Sequence, residues 1–302
     1  MGDNRKHGGG GRQGHGVFQR RQSRPQRGHL PNLGTWRGQQ AMQIITIANQ
    51  KGGTAKSTTA AALAQAAAHR GRRVLAIDLD PQGNLSYFLA ADVTRPGAFE
   101  VLDGQPAAEA IQATRGAQEG RPAAEAPAGR LDVIPASWNL QTISSGRGSA
   151  RRLRTALDPI KGLYDLIIID TPPTAGELQY NALMAATDLI IPLQADIVGL
   201  QGLDQMADTA RQIQQTNRAL AIRGCILTRS GGRSTLARQM AAATEARARE
   251  MGIPLLLAIR EAVAIREAQT LQRDLYEYAP RSKPALDYME LLDRITGESR
   301  NQ

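Results

Sequence analysis

The chain has a single cysteine among its 302 residues, Cys225. A lone thiol excludes an intramolecular disulfide and leaves an iron–sulfur cluster or a cysteine-rich zinc site without ligands. Its setting, Gly224-Cys225-Ile226-Leu227, reads as a buried strand thiol. Aromatic residues make up only 4% of the sequence, so alanine, leucine and isoleucine must fill the core. No apolar run approaches the roughly 18 residues that a membrane span needs. No signal-peptide apolar region follows Met1. These absences lead us to expect a cytoplasmic protein, and no internal repeat is visible.

Positive charge is plentiful, but it is unevenly placed. Of the formal net charge of +9, most lies in residues 1–40, where Arg5, Lys6, Arg12, Arg20, Arg21, Arg24, Arg27 and Arg37 face only Asp3. This stretch is rich in Gly, Gln and Arg and has no hydrophobic period, so it cannot bury enough apolar surface to offset its ordering entropy. Residues 1–41 are therefore expected to be disordered. They read as a solvated basic tail, a tail that touches DNA, or a non-native extension ahead of Met42. The remainder, residues 42–302, is nearly balanced in charge, so any DNA affinity there must come from a local patch.

From Gln43 onward, strand and helix patterns alternate. Short β-branched apolar runs recur at Ile44–Ala48, Val74–Leu79, Leu131–Ile134, Leu166–Ile169, Leu189–Leu193, Ile222–Leu227 and Leu255–Ile259. Helical stretches lie between several of them, at Ala60–His69, Gly199–Gln215 and Leu236–Glu250. Purely apolar runs such as Leu166-Ile167-Ile168-Ile169 suit strands buried on both faces. The alternation predicts an α/β fold, a doubly wound and mainly parallel sheet flanked by helices. Functional groups should then gather at the carboxyl ends of the strands. Residues Gly104–Gly129 read as a surface insertion with some helix around Ala107–Thr114.

The chemistry is concentrated at Asn49-Gln50-Lys51-Gly52-Gly53-Thr54-Ala55-Lys56-Ser57-Thr58-Thr59. Strand, glycine-containing turn and helix form the layout of a phosphate-binding loop, with backbone N–H groups and a helix N-terminus aimed at an anion. The strict pattern G-x-x-x-x-G-K-[ST] is not met, because Gln50 and Ala55 occupy its two glycine positions. Two strand-end carboxylate groups accompany the loop. Asp78 and Asp80 lie in Ile77-Asp78-Leu79-Asp80-Pro81, and Asp170 ends Ile167-Ile168-Ile169-Asp170. Carboxylates so placed can orient a water or hold a magnesium shell.

In this order, and with a second lysine at Lys51, these segments resemble the ParA/MinD branch of P-loop ATPases, whose deviant Walker pattern is K-G-G-x-G-K-[ST]. Further likeness lies in Asp132-Val133-Ile134-Pro135-Ala136-Ser137, Ile191-Pro192-Leu193-Gln194-Ala195-Asp196, Gly199-Leu200-Gln201-Gly202-Leu203, Leu227-Thr228-Arg229 and Pro280-Arg281-Ser282. The resemblance covers nearly all of residues 42–298 and is closest to the Soj/ParA-type partition ATPases.

That resemblance implies ATP and Mg²⁺ as cofactors. Gln50 to Thr58 would bind the nucleotide, with Lys56 on the β- and γ-phosphates. Ser57 and Asp170 would hold Mg²⁺, with support from Asp78. Asp80 would orient the attacking water, and Lys51 would cross a homodimer interface to the partner's nucleotide. It further implies non-specific duplex DNA as a partner in the ATP state, through Arg229, Arg233 and Arg238. A ParB-like centromere-binding activator and a nucleoid-associated location are also implied.

Two departures from the family pattern stand out. Ala55 replaces a glycine, which should cost roughly 1 kcal/mol if the position needs a positive φ. In Ile259–Ala268, Arg260 and Glu261 take the places of the family's proline and arginine. The alternative function is a MinD-like ATPase that positions a protein cargo on the nucleoid or membrane. The C-terminal Met289–Glu298 is acidic and lacks the basic, aromatic-rich face that a membrane-surface helix needs.

Overall fold

The computed structural model describes residues 42–114, 129–143, 146, 148–230 and 235–297. The tail at residues 1–41 and Arg233 lie outside the described residues.

Eight strands form one sheet in the order β3-β4-β2-β5-β1-β6-β7-β8. They are β1 (Gln43–Ile47), β2 (Val74–Asp78), β3 (Gln112–Ala113), β4 (Leu131–Ile134), β5 (Leu166–Asp170), β6 (Asp188–Leu193), β7 (Ala221–Ser230) and β8 (Leu255–Arg260). Every pairing is parallel except that of β3 with β4. The alternating apolar runs thus build the parallel sheet they predict. The exception is a two-residue antiparallel edge, where the sequence predicts the end of a helix.

Parallel pairing requires crossovers, and the helices supply them. Helix α1 (Lys56–His69) links β1 to β2, and α6 (Glu177–Ala185) links β5 to β6. α7 (Ile197–Gln214) links β6 to β7, and α8 (Thr235–Glu250) links β7 to β8. Shorter helices α2 (Asn84–Phe88), α3 (Ala98–Leu102), α4 (Ala107–Ala110) and α5 (Arg152–Leu157) fill the path from β2 to β5. Beyond β8 come α9 (Val263–Thr270), α10 (Leu275–Tyr278) and α11 (Lys283–Thr296).

Successive strand residues point to opposite faces. In β5, Ile168 joins a core with Ala60, Leu63 and Ala67 of α1 and Tyr288, Leu291 and Leu292 of α11. Its neighbours Ile167 and Ile169 join the opposite core with Leu153 and Leu157 of α5 and Ala182 of α6. Alanines on α1 allow close approach to the sheet, which is how a core so poor in aromatics closes. Cys225 is fully buried in a third cluster beside α7 and α8, and burial pushes its thiol up to about 12.

β1 lies between β5 and β6: the chain leaves it through α1 toward β2 on one side, and returns past it through α6 from β5 to β6 on the other. That reversal opens a crevice at the carboxyl end of β1.

Candidate functional site

The loop after β1 turns through Gly53, at φ +75°, and Ala55, at φ +64°. Gly53 tolerates the left-handed region freely; Ala55 does not. This conformation lets residues 52–55 wrap ahead of α1, whose first turn begins at Lys56 with no side-chain cap on its orphan N–H groups. The sequence pattern predicts this helix only from Ala60, because Lys-Ser-Thr-Thr carries no apolar period.

The strain at Ala55 can be measured. A left-handed alanine costs about 1–2 kcal/mol, and a glycine would give back roughly 0.5–1 kcal/mol of that through its freer unfolded state. Ala55→Gly is expected to raise the melting temperature by about 1–3 °C. A fall on calorimetric melting would show that the alanine is unstrained.

Four polar side chains set the loop from below. The fully buried Asn49 donates to the Pro192 carbonyl at 2.8 Å and accepts from Lys51 N–H at 2.9 Å. Gln194 donates to the Gly53 carbonyl at 2.8 Å. The Thr228 hydroxyl stands 3.2 Å from the Thr54 carbonyl and 3.1 Å from that of Leu193. Gln50 donates to the Thr209 hydroxyl on α7 at 2.9 Å. Glycine at 202 is required by the approach of α7, since a Cβ there would stand 2.8 Å from Asn49 Oδ1.

Lys56 is buried, with 6% of its surface exposed, and its ammonium donates to the Lys51 carbonyl at 3.1 Å. Burial pulls its pKa down, while Asp170 and Asp80 push it back up. Asp78 and Asp170 end adjacent strands in register. Both are fully buried. Asp78 accepts from Ser86 N–H at 2.8 Å, Ser86 Oγ at 2.7 Å and Asp80 N–H at 3.1 Å. Burial nevertheless raises it to about 6. Asp170 is held well above the ordinary carboxylate range, by burial first and by Asp78 next, although Ser57 and Lys56 oppose the shift. Its Oδ1 accepts from Thr171 N–H at 3.0 Å, while Oδ2 is buried with no hydrogen bond of ordinary geometry among the described residues. Asp80 is 6% exposed and accepts from Gln82 N–H at 3.0 Å.

Asp170 and Asp80 thus face the Lys56 ammonium, and Asp78 presses on Asp170, beside a loop that leads into a helix with no side-chain cap. Crowded buried carboxylates are costly unless a cation joins them. The orphaned Asp170 oxygen and the hard oxygen donors of Asp170, Asp78 and Ser57 fit a magnesium ion.

Lys51 leans the other way. Its ammonium contacts both oxygens of Asp196 at 2.8 Å. Asp196 also caps α7, accepting from Gly199 N–H at 2.6 Å. The Lys51–Asp196 contact gives the loop a further tie to α7, one that leaves no local sequence pattern. An Asp just before a helical run is legible as a cap, but its pairing across 145 residues is not.

Arg229 and Arg238 are both exposed, at the end of β7 and on α8. They line one open pocket of about 470 Å³ together with Asp196 and Thr228. Arg229 sits at φ +53°, in the left-handed region. Arg260, in the second of the two family departures, forms an ion pair with Asp287 of α11, with its backbone N–H 2.9 Å from Oδ2.

The profile of a family described as an AAA domain matches residues 42–222. The sporulation initiation inhibitor protein Soj of Bacillus subtilis is 34% identical over 265 residues, covering 84% of this chain and 98% of Soj. The chromosome partitioning protein ParA of Caulobacter vibrioides is 39% identical over 210 residues, covering 66% and 74%. Among solved structures, the septum site-determining protein MinD of Pyrococcus horikoshii, complexed with Mg-ADP, superposes with a TM-score of 0.67 at 28% identity, covering 84% of this chain and 96% of MinD. With its phosphate-binding loop, strand-end carboxylates and near full-length likeness to Soj, the chain belongs to the ParA/MinD family of P-loop ATPases and stands within it beside the Soj/ParA partition ATPases.

Proposed function

We propose that this ATPase is a partition switch that dimerises on ATP and binds DNA without sequence preference while dimeric. The observation that carries the reading is the convergence of Lys56, Asp78, Asp80 and Asp170 around the loop at the carboxyl ends of β1, β2 and β5.

Gln50, Lys51, Gly52, Gly53, Thr54, Ala55, Lys56, Ser57 and Thr58 hold the nucleotide, the loop by backbone N–H groups and Lys56 by its ammonium. Ser57 and Asp170 would hold magnesium, with Asp78 in support. A magnesium ion held there would supply charge neutralisation to the phosphates. Asp80 accepts a proton from the attacking water and orients it. Lys51 crosses to the partner subunit's nucleotide, where a second ammonium stabilises charge on the transferring group.

Arg229, Arg233 and Arg238 are assigned to DNA phosphates, and a ParB-like protein to stimulating hydrolysis. The membrane form of the MinD-like alternative needs a free amphipathic helix. The apolar side of α11, with Leu291, Leu292 and Ile295, is instead packed in the core against α1 and β8.

Binding to random-sequence duplex DNA should require ATP and weaken steeply with salt. Arg238→Ala should reduce the slope of log affinity against log salt by about 1 and weaken all sequences alike. Fluorescence anisotropy on labelled duplexes reads both effects. Equal binding with and without ATP would overturn the switch.

A further inference from the structure

Lys51 is fixed at both ends. Its backbone N–H is held by the buried Asn49, itself tied to Pro192. Its ammonium is gripped by both oxygens of Asp196 at the start of α7. A four-carbon stem on a fixed backbone can reach its own Asp196 or the partner subunit, not both. We propose that Asp196 is a positioning residue that parks the Lys51 ammonium on its own subunit, so that dimerisation on ATP must break this ion pair in both subunits. This rests on the assignment of Lys51 to the partner's nucleotide.

The strength of the contact suits a gate. The side chains of Lys51 and Asp196 are 19% and 44% exposed, so solvent screens the pair. An exposed pair of this kind biases an equilibrium by only about two- to fivefold. A triphosphate, with several negative charges in a desolvated interface, outcompetes one wet carboxylate. Two such pairs break per dimer, so their combined effect on dimerisation is the square, about 4- to 25-fold. The contact therefore suppresses association without nucleotide and yields when a triphosphate is delivered. It also ties the capping residue of α7 to the nucleotide state, because Asp196 loses its cation when Lys51 leaves.

A plain capping role is the competing explanation, and Asp196→Asn separates the two. Asparagine caps a helix as well as aspartate but carries no charge. The first readout is the rate at which acetic anhydride modifies Lys51 in the full chain without nucleotide, followed by peptide mass spectrometry with Lys283 as the internal reference. The second is the dimer dissociation constant with magnesium and a non-hydrolysable ATP analogue, from sedimentation velocity.

Asp196→Asn is expected to speed Lys51 modification about two- to fivefold while Lys283 is unchanged, and to tighten the dimer about 4- to 25-fold. Asp196→Ala should expose Lys51 equally but also melt earlier, having lost the cap. An unchanged Lys51 rate would show that Asp196 does not hold it. A faster rate with an unchanged or weaker dimer would show that the pair does not oppose association. If no form dimerises, the functional reading falls and the gate with it, while the modification rates still decide whether Asp196 grips Lys51.

Discussion

Lys56→Ala should abolish useful nucleotide binding, weakening ATP affinity by about 30- to 4,000-fold, since truncating one partner of a buried, hydrogen-bonded charge pair costs about 2–5 kcal/mol. Lys56 is the buried cation of the site, and its surroundings are otherwise acidic. Without it, Asp78, Asp80 and Asp170 would face an incoming triphosphate with no side-chain ammonium between them. The repulsion adds to the lost contact. Isothermal titration with magnesium and ATP measures the effect, with a melting curve to establish that the variant is folded. Lys56→Arg is the informative companion. It keeps the charge but is bulkier, so partial recovery would assign the loss to charge rather than packing. Binding within about threefold of the unaltered chain would place the phosphates elsewhere.

Asp80→Ala should separate binding from turnover. A positioned general base contributes about 10²–10⁴-fold to rate, and hydrolysis should fall by that amount while ATP still binds. The trapped protein should remain dimeric and bound to DNA. Asp80 also shapes its own turn, accepting from Gln82 N–H and leaving its carbonyl to Gly83 N–H. Asp80→Asn preserves that geometry and removes only the basic oxygen, so it should lose hydrolysis equally. Phosphate release and size-exclusion chromatography with ATP follow the two properties. Undiminished release by either variant would remove Asp80 from the chemistry.

Much of this architecture could be read from the sequence, for a definite reason. A strand buried on both faces must be apolar throughout, so Leu166–Ile169 announces both its conformation and its depth. The loop is legible because a left-handed turn and an anion site leave a local pattern of glycine, lysine and hydroxyl residues. The edge strand Gln112–Ala113 was not legible, since two residues of weak β-preference are held by pairing with β4 rather than by propensity. The shell under the loop was equally hidden. Asn49, Gln194 and Thr228 act through single hydrogen bonds to carbonyls, a use open to most polar residues. The ten-residue length of β7 and the left-handed Arg229 within it also leave no periodic mark.

The placement of β1 has a consequence for synthesis. Its two sheet neighbours, β5 and β6, lie far downstream, and the groups that set its loop come from Pro192, Gln194 and Thr228. A nascent chain that has emerged only as far as α5 contains Lys51, Lys56, Asp78 and Asp80, yet β1 has nothing to pair with. The hydrogen bonds that set the loop are therefore complete only once the ribosome has delivered β7.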